Sequence, residues 1–141
     1  MPLSLRERGF ILYLGVMLCV SQQYRQRNYE VSVLPNADKA VIPLHKFTEY
    51  SLNLEHPTGR HKAHVFQSVL GLTIADAEFL QETIRQIVTT HETQPQTPTP
   101  YGERYVIDFT LTTSVGSAVV RTTWIIRWQE DFPRLTGCYV K

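Results

Sequence analysis

The sequence predicts an α+β fold: two or three N-terminal helices packed on one face of a small antiparallel β-sheet, the sheet being a C-terminal meander. Three observations carry this. Residues 43–90 repeat apolar side chains at helical spacing. Residues 104–112 and 118–128 alternate between apolar and polar. Between these halves lies Thr93–Tyr101 (TQPQTPTPY), whose three prolines exclude a helix or an interior strand. Helices first and strands second is the pattern of segregated α+β domains.

Residues 1–30 are read as an extension outside a single domain spanning 31–141. Phe10–Val20 is an apolar run of eleven residues behind Arg6 and Arg8. A helix needs about 20 such residues to span a bilayer. The run has the length of a signal-peptide core, yet no small-x-small cleavage pattern follows it. Secretion or membrane association depends on whether the run is a targeting segment. Otherwise the two distant cysteines, Cys19 and Cys138, make no disulfide framework and indicate a reduced, cytoplasmic setting.

Within the domain, Val31–Leu34 reads as a short edge strand, followed by the turn Pro35–Asp38. Pro43 suits the first turn of a helix over about 43–53, with Leu44, Phe47, Tyr50 or Ser51, and Leu54 on its buried side. His56-Pro-Thr-Gly breaks that helix. A second follows from about Arg60 to Leu70, burying Ala63, Phe66, Val69 and Leu70 and ending at Gly71. Thr73 and Asp76 form a capping-box-like pattern for a third helix over about 74–90, with Ile74, Ala77, Leu80, Ile84, Ile87 and Val88 on one side. In the meander, Tyr105, Ile107, Phe109 and Leu111 share a face, as do Val120, Thr122, Trp124, Ile126 and Trp128. These bulky faces are assigned to the core, both tryptophans included. A hairpin through Thr113–Ser117 joins the two strands, and Arg134–Val140 supplies the last one.

The formal charge is +1, and its excess lies in the first thirty residues; the remainder carries −1. A broad basic nucleic-acid surface is thereby excluded, so a polyanion would need a local cluster. Two such clusters exist. The polar sheet face collects Asp108, Thr110, Thr112, Arg121, Thr123 and Arg127. Arginine there can hold a phosphate bidentately, or it can simply pair with Asp108 across the strands on a solvated face. The second cluster is His56-Pro-Thr-Gly59-Arg60-His61-Lys62-Ala-His64 at a helix start. Gly59 permits close backbone approach to a ligand, and Arg60, His61, Lys62 and His64 gather four cationic or protonatable groups within about one turn. No phosphate-loop or dinucleotide motif accompanies them. The spacing of His56, His61 and His64, even with Asp108 added, matches no strong zinc signature, so no metal or other cofactor is expected. His45 and His91, at helix ends, call for no functional account.

The segments LPNADK (34–39), HPTGRHKA (56–63), YGERYV (101–106), RTTWII (121–126) and PRLT (133–136) together resemble a small uncharacterised bacterial family, one of the domains of unknown function. The resemblance covers about residues 34–140 and implies no activity. More distantly, helices followed by a sheet, a basic helix and an Arg/Thr-bearing sheet face resemble the barnase–EndoU–colicin–RelE class of metal-independent ribonuclease toxins. That likeness implies cleavage of RNA, with His64 or His61 taking the 2′-OH proton. Lys62, Arg121, Arg127 and Arg134 would stabilise the phosphate, Gly59 and Arg60 would help bind it, and Thr123 would position it. The partners expected are an RNA substrate and a small neutralising protein encoded nearby; no membrane partner is expected for the domain. The alternative is a non-catalytic interaction domain, an immunity or partner protein, binding through its sheet edge or polar face.

Overall fold

The computed structural model describes residues 32–141; the expected N-terminal extension lies outside the described residues, as does Val31. A four-stranded antiparallel sheet runs in the order β1 (Gln94–Pro95), β2 (Gly102–Thr112), β3 (Ser117–Arg127), β4 (Arg134–Val140). Two α-helices precede it, α1 (Arg60–Leu70) and α2 (Ala77–Val88).

The alternating patterns place the strands where expected. Ile107, Phe109 and Leu111 of β2, Val120 and Trp124 of β3, and Leu135 and Cys138 of β4 join one core with Phe66, Leu70, Leu80, Ile84 and Val88 of the helices. The helical side of that core follows from spacing: Ala63, Phe66 and Leu70 recur at i, i+3 and i+7, and Ala77, Leu80, Ile84 and Val88 at i, i+3, i+7 and i+11. Gly71 ends α1 in the left-handed region (φ 67°), where its N–H reaches the carbonyl of Gln67 at 2.9 Å. Asp76 accepts the N–H of Thr73 at 2.9 Å, closing the turn that leads into α2. The hairpin loop is tied to the end of α1, since the Thr113 hydroxyl donates to the Leu70 carbonyl at 2.8 Å.

Four expectations need correction. Residues 32–34 form no strand; instead Val41 makes a single parallel bridge to Arg134. The helix expected over 43–53 is mostly a wide π-helical turn, Phe47–Ser51, closed by a bond from the Leu52 N–H to the Phe47 carbonyl at 2.9 Å. Opening the turn by one residue buries Phe47, Ser51 and Leu52 together, whereas a regular helix would have used Leu54. Ile74 is 47% exposed because it lies in a 3₁₀ turn, Ile74–Asp76, off the stripe of α2. Trp128 is 56% exposed because β3 stops at Arg127 and the chain turns there, so alternation no longer sets its direction.

Trp124 is 1% exposed and its indole N–H donates to the Thr122 hydroxyl at 2.8 Å. That hydroxyl donates in turn to the Ile107 carbonyl on β2 at 2.9 Å. Both polar groups of this buried pair are therefore satisfied. Replacing Thr122 by the isosteric Val removes both bonds and leaves the indole N–H without a partner. We expect Thr122→Val to cost about 1–3 kcal/mol in urea unfolding, whereas Thr122→Ser, which keeps the hydroxyl and both bonds, should retain most of the stability.

Candidate functional site

A cavity of about 520 Å³ opens where the edge strand β4 meets the segment before α1. One wall comes from residues 45–51, with His45, Lys46, Glu49 and Tyr50. His56 and Lys62 come from the turn before α1 and its first turn. The sheet side holds Thr123 of β3 with Thr136, Gly137 and Tyr139 of β4. The register makes that side: Thr123 faces Gly137 and Arg121 faces Tyr139, all on the surface opposite Trp124.

The cavity is cationic. Lys46 and Lys62 stand against Glu49, and neither lysine has a carboxylate at salt-bridge distance among the described residues. The Lys62 ammonium instead sits 4.7 Å from the centroid of the Tyr139 ring and 5.8 Å from that of Tyr50. Two aromatic faces hold it without neutralising it. His56 is held through Nδ1, which accepts the N–H of Gly59 at 2.9 Å and of Thr58 at 3.1 Å. The neutral ring must then carry its hydrogen on Nε2. Its edge packs on Tyr50, with centroids 4.6 Å apart. The hydroxyls of Thr123 and Thr136 are bonded to each other at 2.8 Å.

Of the residues singled out in the sequence, His56, Lys62 and Thr123 share this cavity. His61, His64 and Arg60 are exposed on α1 and do not line it. Gly59 is buried against Tyr50: a Cβ there would stand 2.8 Å from the Tyr50 carbonyl oxygen, so the backbone approach that glycine permits is used by Tyr50. Arg121 donates twice to Asp108, Nε and Nη2 each at 2.8 Å. Arg127 and Arg134 share Glu130, at 3.4 and 2.7 Å. Three of the four arginines thus have carboxylate partners, and the cavity takes its free charge from lysines. His45, set aside in the sequence as a helix-end residue, is in the lining, as are Tyr50 and Tyr139. Tyr139 had a signal, since it alternates with Cys138 on the last strand; Tyr50 and His45 fall in the segment whose helix is distorted. Among the described residues no group of three or more His, Cys, Asp or Glu side chains is close enough to hold a metal ion.

Residues 33–141 match the model of a family described as a Domain of unknown function (DUF6883). The chain belongs to the DUF6883 family. No curated protein and no solved structure matches it. In this member of DUF6883 no helix of the described residues is long and apolar enough to cross a membrane.

The Arg121 bond holds the Asp108 carboxyl below the usual carboxylate range, with Lys141 adding to the effect from 3.4 Å. A lowered folded value makes the stabilisation complete above the unfolded value, near about 3.9, and removes it as pH falls through the folded value. Glu130 is lowered in the same direction, chiefly by Arg134. Unfolding midpoints should therefore be level at neutral pH and fall below about pH 4. Asp108→Asn should lower the neutral plateau and make the acid limb shallower, as read by urea titrations across that range. An unchanged limb would remove Asp108 from this account.

Proposed function

We propose that the domain is a metal-independent, ribonuclease-like toxin cleaving RNA by acid–base chemistry in the Lys62–Thr123 cavity. The observation that carries this reading is the meeting of two imidazoles and two carboxylate-free lysines around paired threonine hydroxyls. These are the groups that transfer of a phosphoryl centre to its own 2′-oxygen requires.

In this reading the imidazole of His45 takes the 2′-OH proton. The 2′-oxygen attacks phosphorus, the bond to the 5′-oxygen breaks, and a 2′,3′-cyclic phosphate remains. His56, whose hydrogen is on Nε2, donates to a phosphate oxygen. Lys62 faces the charge that builds there and gives the departing 5′-oxygen its proton. Thr123 positions the phosphate. Arg121 acts at one remove, through Tyr139 opposite it on β4. Arg60, His61 and His64, exposed on α1, contact flanking phosphates, and Arg127 and Arg134 join them only by giving up Glu130. The setting is the cytoplasm, where RNA is abundant, and a small neutralising protein encoded nearby keeps the producing cell intact.

A second reading rests on the other edge of the sheet. β1 pairs with β2 only at Tyr105 and Val106, so β2 from Ile107 to Thr112 has no outer strand partner among the described residues. An open edge of this length can accept a strand from another protein. A chain that co-purifies with the product of a neighbouring reading frame, and leaves RNA whole, supports an immunity or partner role instead.

Induction in a bacterial host separates these readings. The intact chain should arrest growth and leave RNA fragments ending in cyclic phosphate, with a chelator making no difference to the purified protein. Lys62→Ala and His45→Ala should each lower cleavage by roughly 10²–10³-fold. Arg121→Ala should cost less, being felt through Tyr139. Equal growth in all strains, with intact RNA, would sink the ribonuclease reading.

A further inference from the structure

The cavity is one end of a longer strip on the polar face of the sheet. Thr123 and Thr136 also line a second depression, which reaches Tyr101, Arg104 and Ile125. Beyond it Tyr101, Ile125 and Thr136 line a third, with Pro100 and Arg127. The three share walls and run continuously from Lys62 to the end of β3. From the Arg121 row to the Ile125 row is four residues of strand, about 13 Å. A stacked strand of nucleic acid advances about 3.4 Å per nucleotide, so the strip is longer than one nucleotide.

Its far end carries the features that hold an unpaired base. Tyr101 is 76% exposed, a large aromatic ring with little protein cover. Its backbone is fixed, because the Trp128 N–H donates to the Tyr101 carbonyl at 3.2 Å. Arg104 lies beside it on β2 with no carboxylate at salt-bridge distance among the described residues. Along the strip Lys46, Lys62 and Arg104 stand without ion-pair partners among the described residues, against the single unpaired carboxylate of Glu49, and the carboxylates of Asp108 and Glu130 are already paired with arginines. An aromatic face with a cationic groove is how proteins bind single strands without reading their sequence.

We infer that the strip from Lys62 to Tyr101 binds single-stranded RNA, Tyr101 stacking on a base that flanks the phosphate held at Lys62 and Thr123. The inference rests on the ribonuclease reading for its substrate and adds the strandedness and minimum length of that substrate. A duplex is excluded because its bases are already stacked on one another and present no free face to Tyr101.

Fluorescence anisotropy with 2′-O-methyl RNA tests this, since such strands lack the attacking hydroxyl and stay whole. The full chain should bind a labelled single-stranded octamer more tightly than either a dinucleotide or the octamer's duplex. Tyr101→Ala should weaken octamer binding roughly 5- to 100-fold. Tyr101→Phe, which keeps the ring, should bind as the parent does, and dinucleotide binding should be the same in all three. Equal octamer affinity for the parent and Tyr101→Ala, equal binding of duplex, or no binding of any strand overturns the inference. Octamer binding that depends on Tyr101, in a chain that leaves ordinary RNA uncut, upholds the strip and overturns only the ribonuclease reading.

Discussion

The fold depends on which face of β3 is buried, and the Trp124 indole decides it. Burying that ring removes a large apolar surface from water; truncating such a ring to alanine costs about 3–5 kcal/mol in other cores. The ring cannot be buried without a partner for its N–H. Thr122, two residues earlier and so on the same face, supplies one and passes the bond to the Ile107 carbonyl. A slip of one residue would bring Arg121, Thr123 and Arg127 into the core and expel Trp124. Every residue of the candidate site on the sheet is therefore polar-side because Trp124 is core-side.

That assignment also distributes the charges. Placing Arg121 directly opposite Asp108 on the exposed side makes a cross-strand pair with two parallel bonds. Glu130, in the turn between β3 and β4, draws Arg127 and Arg134 to itself. These pairs are partly exposed, so each contributes modestly to stability. Their larger effect is on chemistry: an arginine with a bidentate carboxylate must give up that partner before it can take a phosphate. Lys62 has no such commitment. A ring face attracts the ammonium without accepting its protons, so the cation in the cavity stays available to an anion.

The meander was readable from the sequence because a period of two is a strong constraint. Alternation in 104–112 and 118–128 fixes both faces, and the Asp108–Arg121 pairing follows from the hairpin register. The helices α1 and α2 were equally plain, since Phe66, Leu70, Leu80 and Ile84 keep helical spacing. What escaped at the site lies in residues 43–53. A π-helical turn has no distinctive pattern: Phe47 and Ser51 keep helical spacing while Leu52 replaces Leu54 inside. The same segment carries His45 and Tyr50 to the cavity, so misreading its geometry hid both lining residues. The histidines that spacing favoured, His61 and His64, flank the buried Ala63 and the cavity-lining Lys62, and a helix turns side chains by about 100° per residue, which carries them off the cavity wall.

The place of the cavity follows from how the edge of β4 is handled. Near its start the strand is paired by Val41, whose N–H and carbonyl bond to Pro133 and Leu135. Past that single bridge the chain leaves the edge, because Pro43 has no N–H to continue the ladder. The π-helical turn then carries Tyr50 outward to meet Gly59, and the contact sets the start of α1 beside Tyr139. The gap between the departing chain and the rest of β4 is the cavity. An edge strand left bare would invite another chain; here half of it is covered, and the other half faces lysine, histidine and tyrosine. Protection of the edge and construction of the site are thus the same arrangement of residues 41–62. A change that straightened the π-helical turn would disturb both at once.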